Sequence, residues 1–187
     1  MPVSHSTRPW RSRRGLFLPA WEQRKLGEHL KLSRQIGHTG VDAQKLTVKL
    51  WGKGVVPKTD SYGGSAQTQY YVRHAGQLMY GKLDFLHAAF GIVPDELDGF
   101  ESTLDSPAFD IEGLDSHFLL NVVTQEDFYL KNGNIANGTR KAKRIHEDTF
   151  SAMQITAPGY EEQKRIGHYL TQLDRLITLH QRKRSLF

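Results

Sequence analysis

Residues 161–184 read EEQKRIGHYLTQLDRLITLHQRKR, and the spacing of their apolar side chains decides how the chain ends. The best apolar positions follow one another at intervals of four, three and four residues, and a histidine continues the series: Ile166, Leu170, Leu173, Ile177 and His180. This spacing is the a/d repeat of a coiled-coil seam. A helix from about residue 160 to residue 186 is roughly 40 Å long, and its seam needs a partner to cover it.

The chain before this helix carries shorter patterns, which predict strands mixed with helices. Apolar and polar residues alternate through residues 44–51, and apolar runs near Tyr70, Leu78 and Phe109 indicate further strands. Residues 21–32 have the spacing of a short amphipathic helix, and Asp115 or Ser116 is suited to cap another helix. We therefore predict an α+β (mixed α/β) domain followed by a long C-terminal coiled-coil helix.

This organisation divides the 187 residues into three parts. Residues 1–20 form a basic N-terminal arm without periodicity, residues 21–158 form the mixed domain, and residues 159–187 form the helix. No apolar run approaches the ~20 residues that span a membrane, and Leu16-Phe17-Leu18 is too short for a secretory signal. We expect no membrane segment.

The net charge of +5 is distributed unevenly along the chain. Residues 1–25 carry six bases and one acid, and residues 31–82 carry eight bases and two acids. Residues 83–130 carry eleven acids and neither Lys nor Arg. Such segregation indicates a domain with one face suited to a polyanion, although a charge run is also compatible with an ordinary solvated surface.

The sequence shows none of the catalytic motifs that we sought. It contains no cysteine, which excludes a disulfide scaffold, a thiolate zinc site and a cysteine nucleophile. No phosphate-binding loop, dinucleotide fingerprint or His-Glu-x-x-His motif occurs, and the acids of residues 84–115 are not arranged as a nuclease element with a nearby lysine. We therefore expect a binding protein, not an enzyme, and no metal site.

The strongest binding signal is the basic stretch, residues 132–144, which joins a segment rich in Gly and Asn to four cations. Its cations can contact phosphates or guanine edges, and its Asn side chains can read adenine. The first candidates for DNA contact are Asn137, Arg140, Lys141, Lys143 and Arg144. Cations beside turns of the basic half come second: Lys53, Lys58, Arg73 and Lys82. The alternative is an ordinary basic surface loop.

Three stretches resemble the specificity subunits of type I restriction–modification enzymes. WEQRKLGE at residues 21–28 resembles the opening that precedes a target-recognition domain in that family. GQLMYGKLD at residues 76–84 and FESTLDSPAF at residues 100–109 look like one sequence class of its core. The string from residue 155 to residue 183, which includes Pro158, Glu162-Gln163, Leu173-Asp174 and His180-Gln181-Arg182-Lys183, is similar to the boundary between that domain and its spacer helix.

The resemblance implies a non-catalytic, cytoplasmic DNA-binding subunit of a bacterial or archaeal restriction system. Residues 21–158 are then the DNA target-recognition domain, which reads one half-site of a bipartite double-stranded target. Residues 159–187 are the spacer helix, which docks the methyltransferase subunit, and a restriction/translocase subunit joins the assembly. S-adenosylmethionine, ATP and Mg²⁺ belong to those partners, and this chain itself binds no cofactor.

The chain departs from the family pattern in having one target-recognition domain and one spacer helix where typical members have two of each. A homodimer through the C-terminal helix, with the two seams packed antiparallel, is the economical way to cover the apolar positions. Such a dimer presents two identical domains and favours a symmetric, interrupted target. The alternative is a truncated assembly or decoy fragment, which docks a methyltransferase through its helix but binds DNA weakly.

Overall fold

Small antiparallel sheets build the domain before the long helix in the computed structural model, which describes residues 21–40, 42–59, 65–135 and 144–184. The central sheet has four strands in this spatial order: β2 (Leu30–Ser33), β10 (Ala108–Ile111), β7 (Leu78–Tyr80) and β8 (Phe90–Ile92). A second sheet has the order β3 (Ile36–Thr39), β6 (Gln69–Val72) and β9 (Glu101–Ser102). Two further pairs are β1 (Glu22–Lys25) with β11 (Gln154–Ala157), and β4 (Leu46–Val48) with β5 (Val55–Pro57).

Helices follow the strands in the second half of the chain: α1 (Ser116–Val123), α2 (Glu126–Ile135), α3 (Glu147–Ala152) and α4 (Tyr160–Arg184). Short 3₁₀ turns lie at Leu26–Glu28, Phe85–His87 and Asp95–Leu97. The predicted cap of α1 is confirmed, because the Asp115 carboxylate accepts a hydrogen bond of 2.9 Å from the Phe118 N–H. A mixed α/β domain followed by a long helix is therefore the observed architecture.

Aromatic rings fill the main core between the central sheet and the helices. Tyr80 lies at its centre, with ring centroids 4.5 Å from Phe150 and 6.1 Å from Phe109. Each such buried ring stabilises the fold by about 1.5–3 kcal/mol. The Tyr80 hydroxyl donates a hydrogen bond of 3.0 Å to the Ile145 carbonyl, and burial raises the pKa of Tyr80. The core thus fixes the position of residue 145, at the end of the basic stretch.

The prediction of a helix over residues 21–32 is wrong. These residues form β1, a 3₁₀ turn and β2, and β1 pairs with β11 in the register Glu22↔Ala157. Leu26 and Leu30 are both buried, as the amphipathic spacing requires, but they reach the core from a turn and a strand. A strand partner more than 130 residues away outweighs the local helix pattern.

Two predicted surface segments are also more ordered than the sequence indicates. Residues 132–135, which we predicted as loop, form the last turn of α2. Glu101, one of the eleven acids of residues 83–130, is buried in β9, where its carboxylate accepts a hydrogen bond from the His38 N–H at 2.7 Å and pairs with the His38 ring. That hydrogen bond to Glu101 raises the pKa of the His38 imidazole. Glu101, from the acid-rich residues 83–130, therefore pairs with His38, from the base-rich residues 31–82. The two groups of residues thus do not form two separate faces of the domain.

The long helix is confirmed, and its first turns are fixed to the domain by α1. The buried Gln163 amide accepts the Asp115 N–H at 3.1 Å and donates to the Pro158 carbonyl at 2.8 Å. Gly167 lies against the Asp115 side chain and the Phe118 backbone, where a Cβ would clash. A larger residue at 167 would push α4 away from α1, so glycine permits this close packing.

Candidate nucleic-acid interface

The basic stretch is only partly within the described residues. Asn137, Arg140, Lys141 and Lys143 lie outside them, and their predicted role stays a prediction. Arg144 is exposed, and its guanidinium lies 3.2 Å from the Asp105 carboxylate. Because both side chains are about half exposed, this ion pair is weak and leaves Arg144 able to exchange Asp105 for a phosphate.

Both ends of the basic stretch are fixed to one segment, residues 82–88, which we call the 82–88 turn. At the first end, Gly133 of α2 packs against Leu86 and Phe85 so closely that a Cβ would overlap Leu86. At the second end, the Ile145 N–H donates a hydrogen bond of 3.0 Å to the Lys82 carbonyl. The 82–88 turn therefore contacts the chain on both sides of residues 136–143, at Gly133 and at Ile145.

The β4–β5 hairpin brings Lys53 to the same turn. At its tip, the Trp51 N–H donates to the His87 carbonyl and the Gly52 N–H to the Ala88 carbonyl, each at 2.8 Å. Lys53 is exposed beside these two residues. The fold thus brings Lys53 and the ends of the basic stretch to one region of the surface, although they are far apart in sequence.

Lys58 lies at the other end of the same hairpin. Its N–H donates to the Lys45 carbonyl at 2.8 Å, beyond the last pair of the β4–β5 ladder, Leu46↔Pro57. Five residues of extended strand separate it from Lys53, which corresponds to roughly 16 Å. Lys58 is exposed, but the structure does not bring it together with the cations at the 82–88 turn.

The structure speaks against Lys82 and Arg73 as DNA contacts, because both are buried. The Lys82 ammonium lies 2.8 Å from the Glu147 carboxylate, and only 7% of its side chain is exposed. The Arg73 guanidinium donates to the Ser102 hydroxyl at 2.7 Å and to the Ser33 carbonyl at 3.1 Å. Burial lowers the pKa of Arg73 to about 10. Each cation therefore bonds to groups within the fold and is not available to a DNA phosphate. The position of both residues beside turns in the sequence did not indicate this burial.

We expect Lys82→Met to destabilise the domain by about 2–3 kcal/mol, because it leaves the Glu147 carboxylate without its partner in a site that is mostly buried. Burial is the largest single influence and raises the pKa of Glu147. The hydrogen bond from Lys82, a backbone hydrogen bond and the charges of Lys82 and Arg34 together outweigh it, so that pKa lies below its usual value. The stabilisation is therefore present above the unfolded pKa of about 4.5 and is lost as pH falls through the lower folded value.

Thermal melts of both proteins from pH 3 to pH 8 measure this effect, and the two curves should converge at acid pH. Lys49→Met is the matched control, since Lys49 is exposed and its loss should change stability by less than about 0.5 kcal/mol. If the Lys82→Met protein were as stable as wild type at pH 7, the stabilising role of the Lys82–Glu147 pair would be refuted. Lys82 would then again be a candidate for DNA contact.

The seam residues of α4 divide into two groups. Ile166 and Leu170 are half-buried where the helix packs on the domain, and Ile166 contacts the main core. The distal positions are exposed: Leu173 (36%), Ile177 (54%) and His180. Leu176 and Tyr169 extend this apolar surface along one flank. Within the part of the chain that the structure describes, the distal half of α4 thus presents an exposed apolar stripe.

Within the described ranges, no three His, Asp or Glu residues are grouped so that they could hold a metal ion. Across the same ranges, no helix is both long and apolar enough to cross a bilayer.

One family model matches the second half of the chain. Residues 110–186 match the family model described as "Type I restriction modification DNA specificity domain". This match confirms the resemblance seen in the sequence for residues 110–186, which include the helices α1 to α4 and strand β11. No curated protein matches the sequence.

Two solved structures have a similar fold. The HsdS subunit from Thermoanaerobacter tengcongensis superimposes with a TM-score of 0.62 at 16% identity, over 89% of this chain and 45% of that one. A chain from a structure titled for complex assembly and conformational transition of the type I R-M system gives a TM-score of 0.59 at 16% identity, over 92% and 43%. The chain therefore spans less than half the length of the solved chains it matches.

Proposed function

We propose that this chain is the DNA-recognition subunit of a type I restriction–modification system and that its domain reads one half of a bipartite target. The specificity-domain match carries the proposal. A second observation supports the proposal: the 82–88 turn is next to Lys53, Arg144 and the ends of the basic stretch. These residues would supply a cationic surface for a DNA backbone. We place the contacts of Arg140, Lys141, Lys143 and Asn137 on this surface.

The second half of the target is read by a second copy of this chain. The exposed stripe of α4 is self-complementary in an antiparallel pair, since each seam then covers the other across a two-fold axis. A groove of about 610 Å³ between α1, α2, β11 and α4 continues the stripe towards the domain and includes Ile166 and Leu170 in its lining. In the antiparallel arrangement, the end of the partner helix runs towards this groove.

The catalytic steps belong to the other subunits of the complex. We assign methylation to a methyltransferase subunit docked on the helices and cleavage to a restriction/translocase subunit, so that S-adenosylmethionine, ATP and Mg²⁺ are bound by those partners. The chain acts in the cytoplasm, where the DNA and these subunits are present.

Selection from duplex DNA with a randomised centre tests the proposal. A two-fold dimer should enrich an interrupted palindrome, because identical domains read identical half-sites in opposite orientation. The affinity for the selected duplex should fall with salt with a slope of about −4.5 in log units, which corresponds to about five neutralised phosphates. Weak binding that ignores sequence, even with the methyltransferase present, would refute the proposal.

The chain length leaves one further candidate, an assembly or decoy fragment. It is favoured by the single domain, which covers less than half of the solved chains. Such a fragment would bind the methyltransferase through α4 yet select no DNA sequence. The same selection experiment separates it from the recognition subunit.

A further inference from the structure

The tip of the β4–β5 hairpin has an unusual residue for its conformation. Residues 50–53 form a tight turn in which both central residues have positive φ, 60° at Trp51 and 63° at Gly52. This is the type I′ pattern, for which Asn, Asp and Gly are favoured at both positions. A bulky side chain with positive φ is an outlier that costs free energy. In the described ranges, only Trp51 and Ala88 among non-glycine residues adopt positive φ.

Burial does not explain why a tryptophan occupies this position. The Trp51 side chain is 56% exposed, and its one ring partner is His87, which it meets edge-on with centroids 5.6 Å apart. The backbone bonds of the tip to His87 and Ala88 use main-chain groups, so they do not require an indole. Strained residues that the interior does not need are found disproportionately at binding sites.

The surroundings of Trp51 are suited to a polyanion. Lys49 and Lys53 flank it on the two arms of the turn, and both are exposed. The hairpin tip lies on the 82–88 turn, which also contacts Gly133 and Ile145. Asp84 is the acid near the tip, and it lies 3.7 Å from the His87 ring. An exposed aromatic ring, with an exposed lysine on each arm of its hairpin, is thus held at the 82–88 turn.

We propose that Trp51 is a DNA-contacting residue: its indole packs against base edges in a groove of duplex DNA while Lys49 and Lys53 contact the adjacent phosphates. The inference rests on the proposed function and adds a specific residue to it. Aromatic and other apolar side chains on DNA-binding proteins contact thymine methyl groups or wedge between base steps. The exposed half of the indole remains accessible to such a contact while the ring rests against His87.

Trp51→Asn separates a binding role from a structural one. Asparagine is favoured in this turn, so the variant should melt at or above the wild-type temperature. The affinity for a mixed-sequence 30-base-pair duplex should fall about tenfold, as expected for loss of one aromatic–base contact. Trp51→Phe should retain more affinity than Trp51→Asn. Trp21→Asn is the control, because Trp21 is a similarly exposed aromatic (50%) that packs on Phe118 instead, and its duplex affinity should not change.

Fluorescence gives a second readout that does not depend on the stability of a Trp51 variant. In the Trp10→Phe/Trp21→Phe protein, Trp51 is the only tryptophan, and saturating duplex should quench its emission and protect it from iodide. Unchanged emission, while anisotropy of labelled duplex shows full binding, would overturn the inference and leave the proposed function intact. So would a Trp51→Asn protein that is stable and binds the duplex as tightly as wild type. Absence of any duplex binding would overturn both.

Discussion

Ile177→Asp is expected to convert a dimer of this chain into a monomer. Ile177 is an a position of the seam and is 54% exposed in the single chain. In an antiparallel pair, the substitution places one carboxylate from each protomer inside the apolar interface, and each loses several kcal/mol of hydration without a partner. The dimer dissociation constant should rise by about a hundredfold or more. Light scattering or analytical ultracentrifugation at micromolar concentration measures the change.

Leu179→Asp is the matched control for the seam. Leu179 is apolar, lies on the same helix and is 61% exposed. Because it comes two residues after Ile177, its side chain lies on a different face of the helix from the a/d positions. Its substitution adds the same charge without entering the interface, so the dimer should persist. If Ile177→Asp remained dimeric and Leu179→Asp did not, the interface would lie on the opposite face of α4.

The second large effect is expected from removing both arginines of the basic stretch, Arg140→Ala with Arg144→Ala. If each arginine neutralises one phosphate, the slope of log affinity against log salt should become shallower by about 1.8. The affinity at 0.15 M salt should fall more than tenfold, since two counterion-releasing contacts are lost. The fold should be unaffected, because Arg144 is exposed and makes only a weak ion pair with Asp105.

Anisotropy titrations from 50 to 300 mM salt measure this slope. Lys164→Ala with Arg165→Ala removes the same charge from exposed positions on the first turns of α4 and serves as the control. Equal slopes for both double variants would show a general effect of net charge. If the Arg140/Arg144 variant bound DNA as tightly as wild type, these arginines would not contact DNA. We would then expect the contact surface to lie at Lys53 and Lys58.

Patterns that depend on neighbouring residues were read correctly from the sequence. The a/d spacing predicted α4, the position of Asp115 predicted the start of α1, and the alternation around Val48 predicted β4. Each depends on contacts between residues a few positions apart, so the sequence contains the whole signal. The string around Pro158 and Gln163 indicated the family, and these residues form the buried junction between β11 and α4.

The candidate site could be predicted only in part, because the fate of each cation depends on distant residues. Lys53 and Lys82 both lie beside turns in the sequence, but Lys53 is exposed and Lys82 is buried against Glu147. The hairpin tip and the basic stretch meet at the 82–88 turn through backbone hydrogen bonds that no local pattern encodes. The positive φ of Trp51, which carries the new inference, was also invisible in a sequence in which Trp51-Gly52 reads as ordinary loop.

The sequence by itself determined the long helix, its uncovered seam and the class of protein, because helical periodicity and a family string are properties of consecutive residues. Only the tertiary structure decided which charges face solvent, since burial is set by pairings such as β1 with β11 and Lys82 with Glu147. Those pairings join residues between 65 and more than 130 positions apart, and their free energy depends on desolvation and packing that exist only once the chain has folded.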